Sequence, residues 1–286
     1  MKLLAISDLH IGYKINREAI ENLAPSPDDW LILAGDIGEK PEQLIWVLDT
    51  LSSRFAKLIW VPGNHELYTL DSDTCPLKGV ERYEYFVSLC QERGVLTPED
   101  PYALWPGDGP KTRVAPLFIG YDYSFSPLGM TPGQARAWAL EDGIKSTDEM
   151  LLYPSPHASR EAWCRERVAL TTKRLEAVAE DESLVLVNHY PLRHELVRLF
   201  RIPRFSPWCG TRLTEDWHTR FRARVVVSGH LHVRATDWRD GVRFEEVSLG
   251  YPRHWRQEKG VDSYVREILP GPKEVVLGAS GPHWHR

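Results

Sequence analysis

With 286 residues, 42% hydrophobic and 26% charged, the chain has the make-up of a soluble globular protein, long enough for one large core or two small ones. Its 35 Lys and Arg against 40 Asp and Glu leave a formal charge of -5, which excludes a general electrostatic trap for nucleic acid or an anionic membrane. No apolar run approaches the roughly 18 residues needed to span a bilayer, and the few apolar residues ahead of Ser7 are too short for a signal-peptide core. The scattered cysteines, Cys75, Cys90, Cys164 and Cys209, form no CxxC pair and are expected as reduced thiols in the cytoplasm.

Short apolar runs predict strands at residues 2–6, 30–34, 58–61, 184–187 and 225–227, each apolar on both faces and so covered on both. A helix is predicted over 41–55, opening on Pro41 and carrying Leu44, Val47, Leu48 and Leu51 along one face. Further helices are expected within 79–94 and over 161–180, the latter with Val168, Leu175 and Val178 as its buried stripe. Strands are expected at 116–120 and at 242–249, where Phe244 and Val247 alternate inward. Residues 71–159, rich in Pro, Gly and Asp, suggest an irregular insertion over the sheet edge of a single domain spanning 1–286.

Five of these runs end in chemistry. They lead into Asp8-Leu9-His10, Gly35-Asp36, Gly63-Asn64-His65-Glu66, Asn188-His189 and Gly229-His230-Leu231-His232. Open α/β sheets place ligands just past the C-terminal ends of their strands. Carboxylate, imidazole and carboxamide together suit borderline divalent metals better than Mg²⁺ or Ca²⁺, which prefer oxygen alone. The i, i+2 spacing of Asp8/His10 and of His230/His232 lets two side chains converge in a tight turn, and Gly35, Gly63 and Gly229 permit sharp backbone turns beside them.

On these five elements, all present and in order, the sequence resembles the calcineurin-like metallophosphoesterase superfamily. The resemblance implies an α/β fold of four layers, two mixed β-sheets flanked by helices. It implies two divalent or mixed-valence transition metal ions (Mn, Fe or Zn), manganese among them. Asp8, His10, Asp36 and His232 would hold one; Asp36, bridging, with Asn64, His189 and His230 would hold the other. Four positive charges against Asp8, Asp36 and a bridging hydroxide leave such a site net positive and suited to phosphate, and a metal pair clamps the charge of an in-line displacement. His65 is the expected catalytic acid at the leaving oxygen, oriented by Glu39 or by Glu66.

The remaining histidines show no shared spacing, and His283 and His285 are expected in a mobile tail. Residues 193–224 carry eight Arg against three acids, a balance of +5 in a chain of -5. Arg201, Arg204 and Trp208 in the Arg/Trp-rich loop at 193–220 are expected either to line the substrate site or to be structural. Family members that act on phosphoproteins continue the second motif as G-D-x-x-D-R-G; here Gly35-Asp36-Ile37-Gly38-Glu39-Lys40-Pro41 lacks that Arg and the last Gly, which argues against a protein phosphatase. The expected activity is phosphodiester hydrolysis on a phosphate-ester substrate. The alternatives are a small-molecule phosphomonoesterase, a 4'-phosphopantetheine hydrolase whose partner is an acidic carrier protein, a nuclease, which the overall acidity disfavours, and a non-catalytic interaction module.

Overall fold

The computed structural model describes residues 1–72, 75–271 and 282–285. Strands β1 (Leu3–Ile6), β2 (Ser26–Leu33) and β3 (Phe55–Trp60) alternate with helices α1 (Lys14–Glu21) and α2 (Pro41–Ser52). The three strands run parallel, and β10 (Arg266–Leu269) joins antiparallel to β1, giving the order β10-β1-β2-β3. Next come α3 (Gly79–Gln91), β4 (Ala103–Leu104), β5 (Thr112–Pro116), α4 (Pro132–Leu140), α5 (Asp148–Leu151) and α6 (Arg160–Glu176). After them β6 (Ser183–Val187), α7 (Trp217–Arg220), β7 (Ala223–Ser228), β8 (Ala235–Arg239), β9 (Val242–Glu246) and β11 (His283–Trp284) complete a second sheet of order β11-β8-β9-β7-β6-β5-β4.

The unbroken apolar runs are explained by two covered faces. Leu3, Ala5, Ile32, Ala34 and Ile59 meet Val185, Val187, Val225 and Val227 of the second sheet in a seam between the sheets. The alternate residues Leu31, Leu33, Leu58 and Trp60 pack instead on Leu44, Val47, Leu48 and Leu51 of α2 and Phe86 of α3. On the far side, Leu184, Leu186 and Val226 pack on Cys164 and Leu175 of α6 and Trp217 of α7. Each fully buried aliphatic side chain is worth about 1.5–3 kcal/mol, so a helix–sheet–sheet–helix stack follows from central strand segments that are apolar on both faces. At one end the sheets are also joined through backbone: Ser7 N donates to Val247 O at 3.1 Å and Leu249 N to Ser7 O at 2.8 Å.

Several expectations need correction. Within 71–159, α3 belongs to the helix layer on the first sheet and β5 pairs parallel with β6 inside the second, so the stretch is not merely an insertion over an edge. β5 ends at Pro116, where the expected 116–120 strand begins; the polar Thr112 and Arg113 at its start mask it, Arg113 pairing through its backbone with Leu184 and through its side chain with Glu182. The strand expected last, over 242–249, stops at Glu246 and is followed by β10 and β11, and Phe244 and Val247 serve opposite faces of the sheet. His283 begins β11, which pairs with β8, and His285 N donates to Arg234 O at 2.9 Å, so these two are docked rather than a mobile tail.

Candidate metal centre

The five motifs come together at the edge where both sheets present strand C-termini. Asp8 and His10 follow β1, Asp36 follows β2, and Asn64 and His65 follow β3, all from the first sheet. His189 follows β6, and His230 and His232 follow β7, from the second. Backbone bonds lock the turns to one another: Asp8 N to Gly35 O at 2.9 Å, His10 N to Asp36 O at 3.0 Å and Gly229 N to His189 O at 2.9 Å. Five of these residues have left-handed backbones: Asp8 (φ 53°), His10 (42°), Asp36 (53°), His230 (72°) and His232 (53°). That conformation costs roughly 1–2 kcal/mol per residue, and its concentration here marks turns bent to aim side chains inward.

Two sets of donor atoms result. Asp8, His10 and His232 lie within 4.8 Å of one another, as do Asp36, His189 and His230; Asp36 also lies that close to His10 and His65. Asp36 therefore stands between the two sets. His232 Nε2 is 3.0 Å from Asp8 Oδ1, His10 Nε2 is 3.2 Å from His232 Nε2, and His189 Nε2 is 3.4 Å from Asp36 Oδ2. Asn64 Oδ1, His189 Nε2 and His230 Nε2 are buried without a hydrogen-bond partner. Buried polar atoms are normally satisfied, so two unpartnered imidazole nitrogens beside the Asp36 carboxylate, and an unpartnered amide oxygen on the neighbouring turn, fit a cation. The donor chemistry fits too: mixed N and O ligands on rigid turns suit transition metals.

Outer partners set the tautomers and charges. His189 Nδ1 is 2.9 Å from Ala34 O, an acceptor only, so that nitrogen carries hydrogen and Nε2 faces the centre. Asp8 Oδ2 accepts from Ser7 Oγ at 2.5 Å and Ser248 Oγ at 2.7 Å. Burial would raise the Asp8 carboxyl, yet His232 beside it holds it well below the usual carboxylate range. Burial pushes His10 and His230 down to about 3, which leaves both imidazoles neutral and able to ligate. Burial opposes charge on His189 too, but Asp36 and Asp8 outweigh it and raise it to about 10. A cation beside Asp36 would take the place of that proton, since both satisfy the same carboxylate.

His65 is set differently. Its Nδ1 lies 3.0 Å from Glu39 Oε1 and its Nε2 lies 3.8 Å from Asp36 Oδ2. Burial disfavours its charge, but Asp36 and Glu39 outweigh burial and raise it to about 9. Of the two carboxylates expected to orient it, Glu39 does so. Glu66 turns away and accepts from the backbone amides of Asp36, Ile37 and Gly63 at 3.0, 2.6 and 2.8 Å. Arg82 ties both acids down, donating to Glu39 O and Glu66 O at 2.7 Å each. Gly63 is required here, because a Cβ would lie 2.1 Å from Asp36 Oδ1.

The Arg/Trp loop departs from one of its two expected roles. Trp208 is buried at 1% exposure and donates from Nε1 to Glu149 Oε1 at 2.8 Å, so it faces the core and not a substrate. Arg204 pairs with Glu141 and, at 3.0 Å, with Asp142. Arg201 is exposed. Other residues surround the centre that no motif announced: Tyr251 stacks on His10 at 4.5 Å, Tyr190 lies 4.6 Å from His230, and His254 Nδ1 is 2.9 Å from His232 Nδ1. Asp148 of α5 reaches Asn64 from 84 residues away. Only Tyr68, four residues past Asn64, could have been sought by spacing. Among the described residues no helix is long and apolar enough to cross a membrane.

Comparison with known proteins agrees with this geometry. A family model for calcineurin-like phosphoesterases matches residues 1–234. The acyl-carrier-protein phosphodiesterase PptH of Mycobacterium tuberculosis is 50% identical over 273 residues, 95% of this chain and 84% of that protein. The crystal structure of phosphopantetheinyl hydrolase (PptH) from the same organism matches with a TM-score of 0.91 at 49% identity, covering 96% of this chain and 98% of that one. The chain belongs to the calcineurin-like phosphoesterase family and is a metal-dependent hydrolase of phosphate esters.

Proposed function

We propose that this protein is a phosphodiesterase that removes 4'-phosphopantetheine from an acyl carrier protein. The observation that carries the reading is 50% identity to an acyl-carrier-protein phosphodiesterase across 95% of the chain, alongside Asp8, His10, Asp36, His65, His189, His230 and His232 clustered at one edge. Asp8, His10, Asp36 and His232 would hold one divalent transition metal ion, and Asp36, Asn64, His189 and His230 the other, with manganese, iron and zinc the candidates. Such a pair, when bound, supplies Lewis-acid activation of water and neutralises charge on the phosphoryl oxygens.

The chain's own residues do the rest. Asp36 keeps the two donor sets at a fixed separation, and its Oδ1 accepts from His65 N at 2.9 Å, which sets the start of the His65 side chain. Glu39 accepts from His65 Nδ1–H, and Asp36 and Glu39 together favour the imidazolium, whose second proton sits on Nε2. A serine alkoxide leaving a carrier protein is strongly basic, and a proton delivered from His65 Nε2 as the P–O bond breaks is worth about 10²–10⁴-fold. A diester carries one negative charge, which a centre with only two ligand carboxylates accommodates. Cys90, Cys164 and Cys209 are buried free thiols, in keeping with a reducing cytoplasm.

The test is direct. Mn²⁺-loaded protein incubated with a holo-carrier protein should release free 4'-phosphopantetheine and apo-carrier, followed by intact-protein mass spectrometry. An untouched carrier alongside rapid cleavage of nucleotide diesters would refute the substrate assignment.

A further inference from the structure

The two ends of an asparagine amide have nearly the same shape, so something must decide which end Asn64 turns toward the metals. The geometry points to Asp148, with Tyr68, as the positioning residues that fix this amide with its oxygen facing the ions, a role lying outside the five motifs. The inference rests on the paired-ion reading above. Asp148 is 1% exposed, and its Oδ1 accepts from Tyr68 Oη at 2.6 Å and from Asn64 Nδ2 at 3.1 Å. Tyr68 Oη, its hydrogen already given to Asp148, accepts from Asn64 Nδ2 at 2.8 Å. Both neighbours therefore demand a donor. Turned over, the amide would set three oxygens together with no hydrogen between Asn64 and the other two. Asn64 Oδ1 is thereby left facing the centre, buried and without a hydrogen-bond partner.

The acceptor pair is itself braced. Arg160 donates to Asp148 O at 2.7 Å and to Glu149 Oε2 at 3.2 Å, while Tyr123 Oη and Trp208 Nε1 donate to Glu149 Oε1 at 2.7 and 2.8 Å. The Arg/Trp loop thus contributes to the metal centre from behind, through α5. Partners of this kind, one step removed from a metal, typically change affinity by about 10–100-fold.

Equilibrium dialysis against Mn²⁺, with metal content read by plasma mass spectrometry, tests this without reference to turnover. Wild-type protein should take up about two ions. Asp148→Leu, which keeps the volume and removes the acceptor, should weaken one of the two by about 10–100-fold. Asp148→Asn keeps a carbonyl oxygen where Oδ1 stands and should bind both ions as wild type does. Should the Leu variant fail to fold, Tyr68→Phe removes one acceptor without touching α5 and should fall at the low end of that range. Unchanged affinity in Asp148→Leu or Tyr68→Phe overturns the inference, as does an Asn variant as weak as the Leu one. Wild-type protein that binds no ion pair would overturn the metal reading itself.

Discussion

One methyl group added at Gly63 probes the centre without removing a ligand. A Cβ there would stand 2.1 Å from Asp36 Oδ1 and 2.6 Å from Asp36 N. Real Cβ atoms do not come closer than 3.0 Å to such a neighbour, so Asp36 must retreat by about 1 Å. It is held against doing so. Its amide donates to Glu66 Oε2 at 3.0 Å, its Oδ1 accepts from His65 N at 2.9 Å, and its carbonyl accepts from His10 N at 3.0 Å. Overpacking costs about 1–3 kcal/mol and a lost buried hydrogen bond about 1–3 kcal/mol, so Gly63→Ala should lose about 2–6 kcal/mol of stability. At about 2–4 °C per kcal/mol for a chain approaching this size, the melting temperature falls by roughly 4–24 °C. Because Asp36 serves both donor sets, a shift of about 1 Å should also cost at least about 100-fold in rate. Gly94→Ala is the control: φ is +68° with nothing within 4 Å of an added Cβ. It should cost only the left-handed backbone, about 1–2 kcal/mol, and leave turnover unchanged. Thermal unfolding, metal content and hydrolysis of bis(p-nitrophenyl) phosphate read all three effects. A Gly63→Ala protein with two ions and full activity would refute the placement of Asp36 between the sets.

Further outcomes follow from the same geometry. Asp36→Asn should abolish both metal loading and turnover, read by metal analysis and by diester hydrolysis. His65→Ala should keep its ions and lose about 10²–10⁴-fold on alkyl diesters, but far less on nitrophenyl esters, whose leaving groups need no proton. In protein stripped of metal, the His65 value of about 9 lies above the ordinary 6.5, so its protonation stabilises the fold fully below about pH 6.5 and that support fades as pH rises through about 9. Glu39→Gln removes part of it, so urea titrations should show the wild-type advantage shrinking across that interval. Trp208→Phe should cost about 1–3 kcal/mol through the lost bond to Glu149 while leaving KM for a carrier substrate unchanged; a raised KM instead would return Trp208 to the substrate wall.

What the sequence made legible is what depends on local pattern. Strands buried on both faces must be apolar throughout, so their ends were visible, and with them Asp8, Asp36, Asn64, His189 and His230. The rest was settled by contacts that no spacing encodes. β8 and β10 are polar strands near or at sheet edges, and Asp237 in β8 is tolerable only because Arg198 and Arg239 reach it. The +5 segment is neutralised largely by acids elsewhere: Arg204 by Glu141 and Asp142, Arg220 by Glu176, Arg198 by Asp237. Asp148 faces Asn64 because the end of α5 is tied to the segment past β3, where Tyr68 bridges Leu152 and Thr69 N donates to Leu151 O. The choice between Glu39 and Glu66 was likewise decided by three backbone amides that claim Glu66.

Each donor set draws on both sheets: Asp8 and His10 with His232, and Asp36 and Asn64 with His189 and His230. A bound ion pair therefore rivets one sheet to the other at the open end of the valine seam. Shear between the sheets would have to break coordination, so occupancy becomes part of the fold's own cohesion. With free ion at about a hundredfold its dissociation constant, the linkage is worth about 2.7 kcal/mol. A chelator should accordingly behave toward this protein as a mild denaturant as well as an inhibitor.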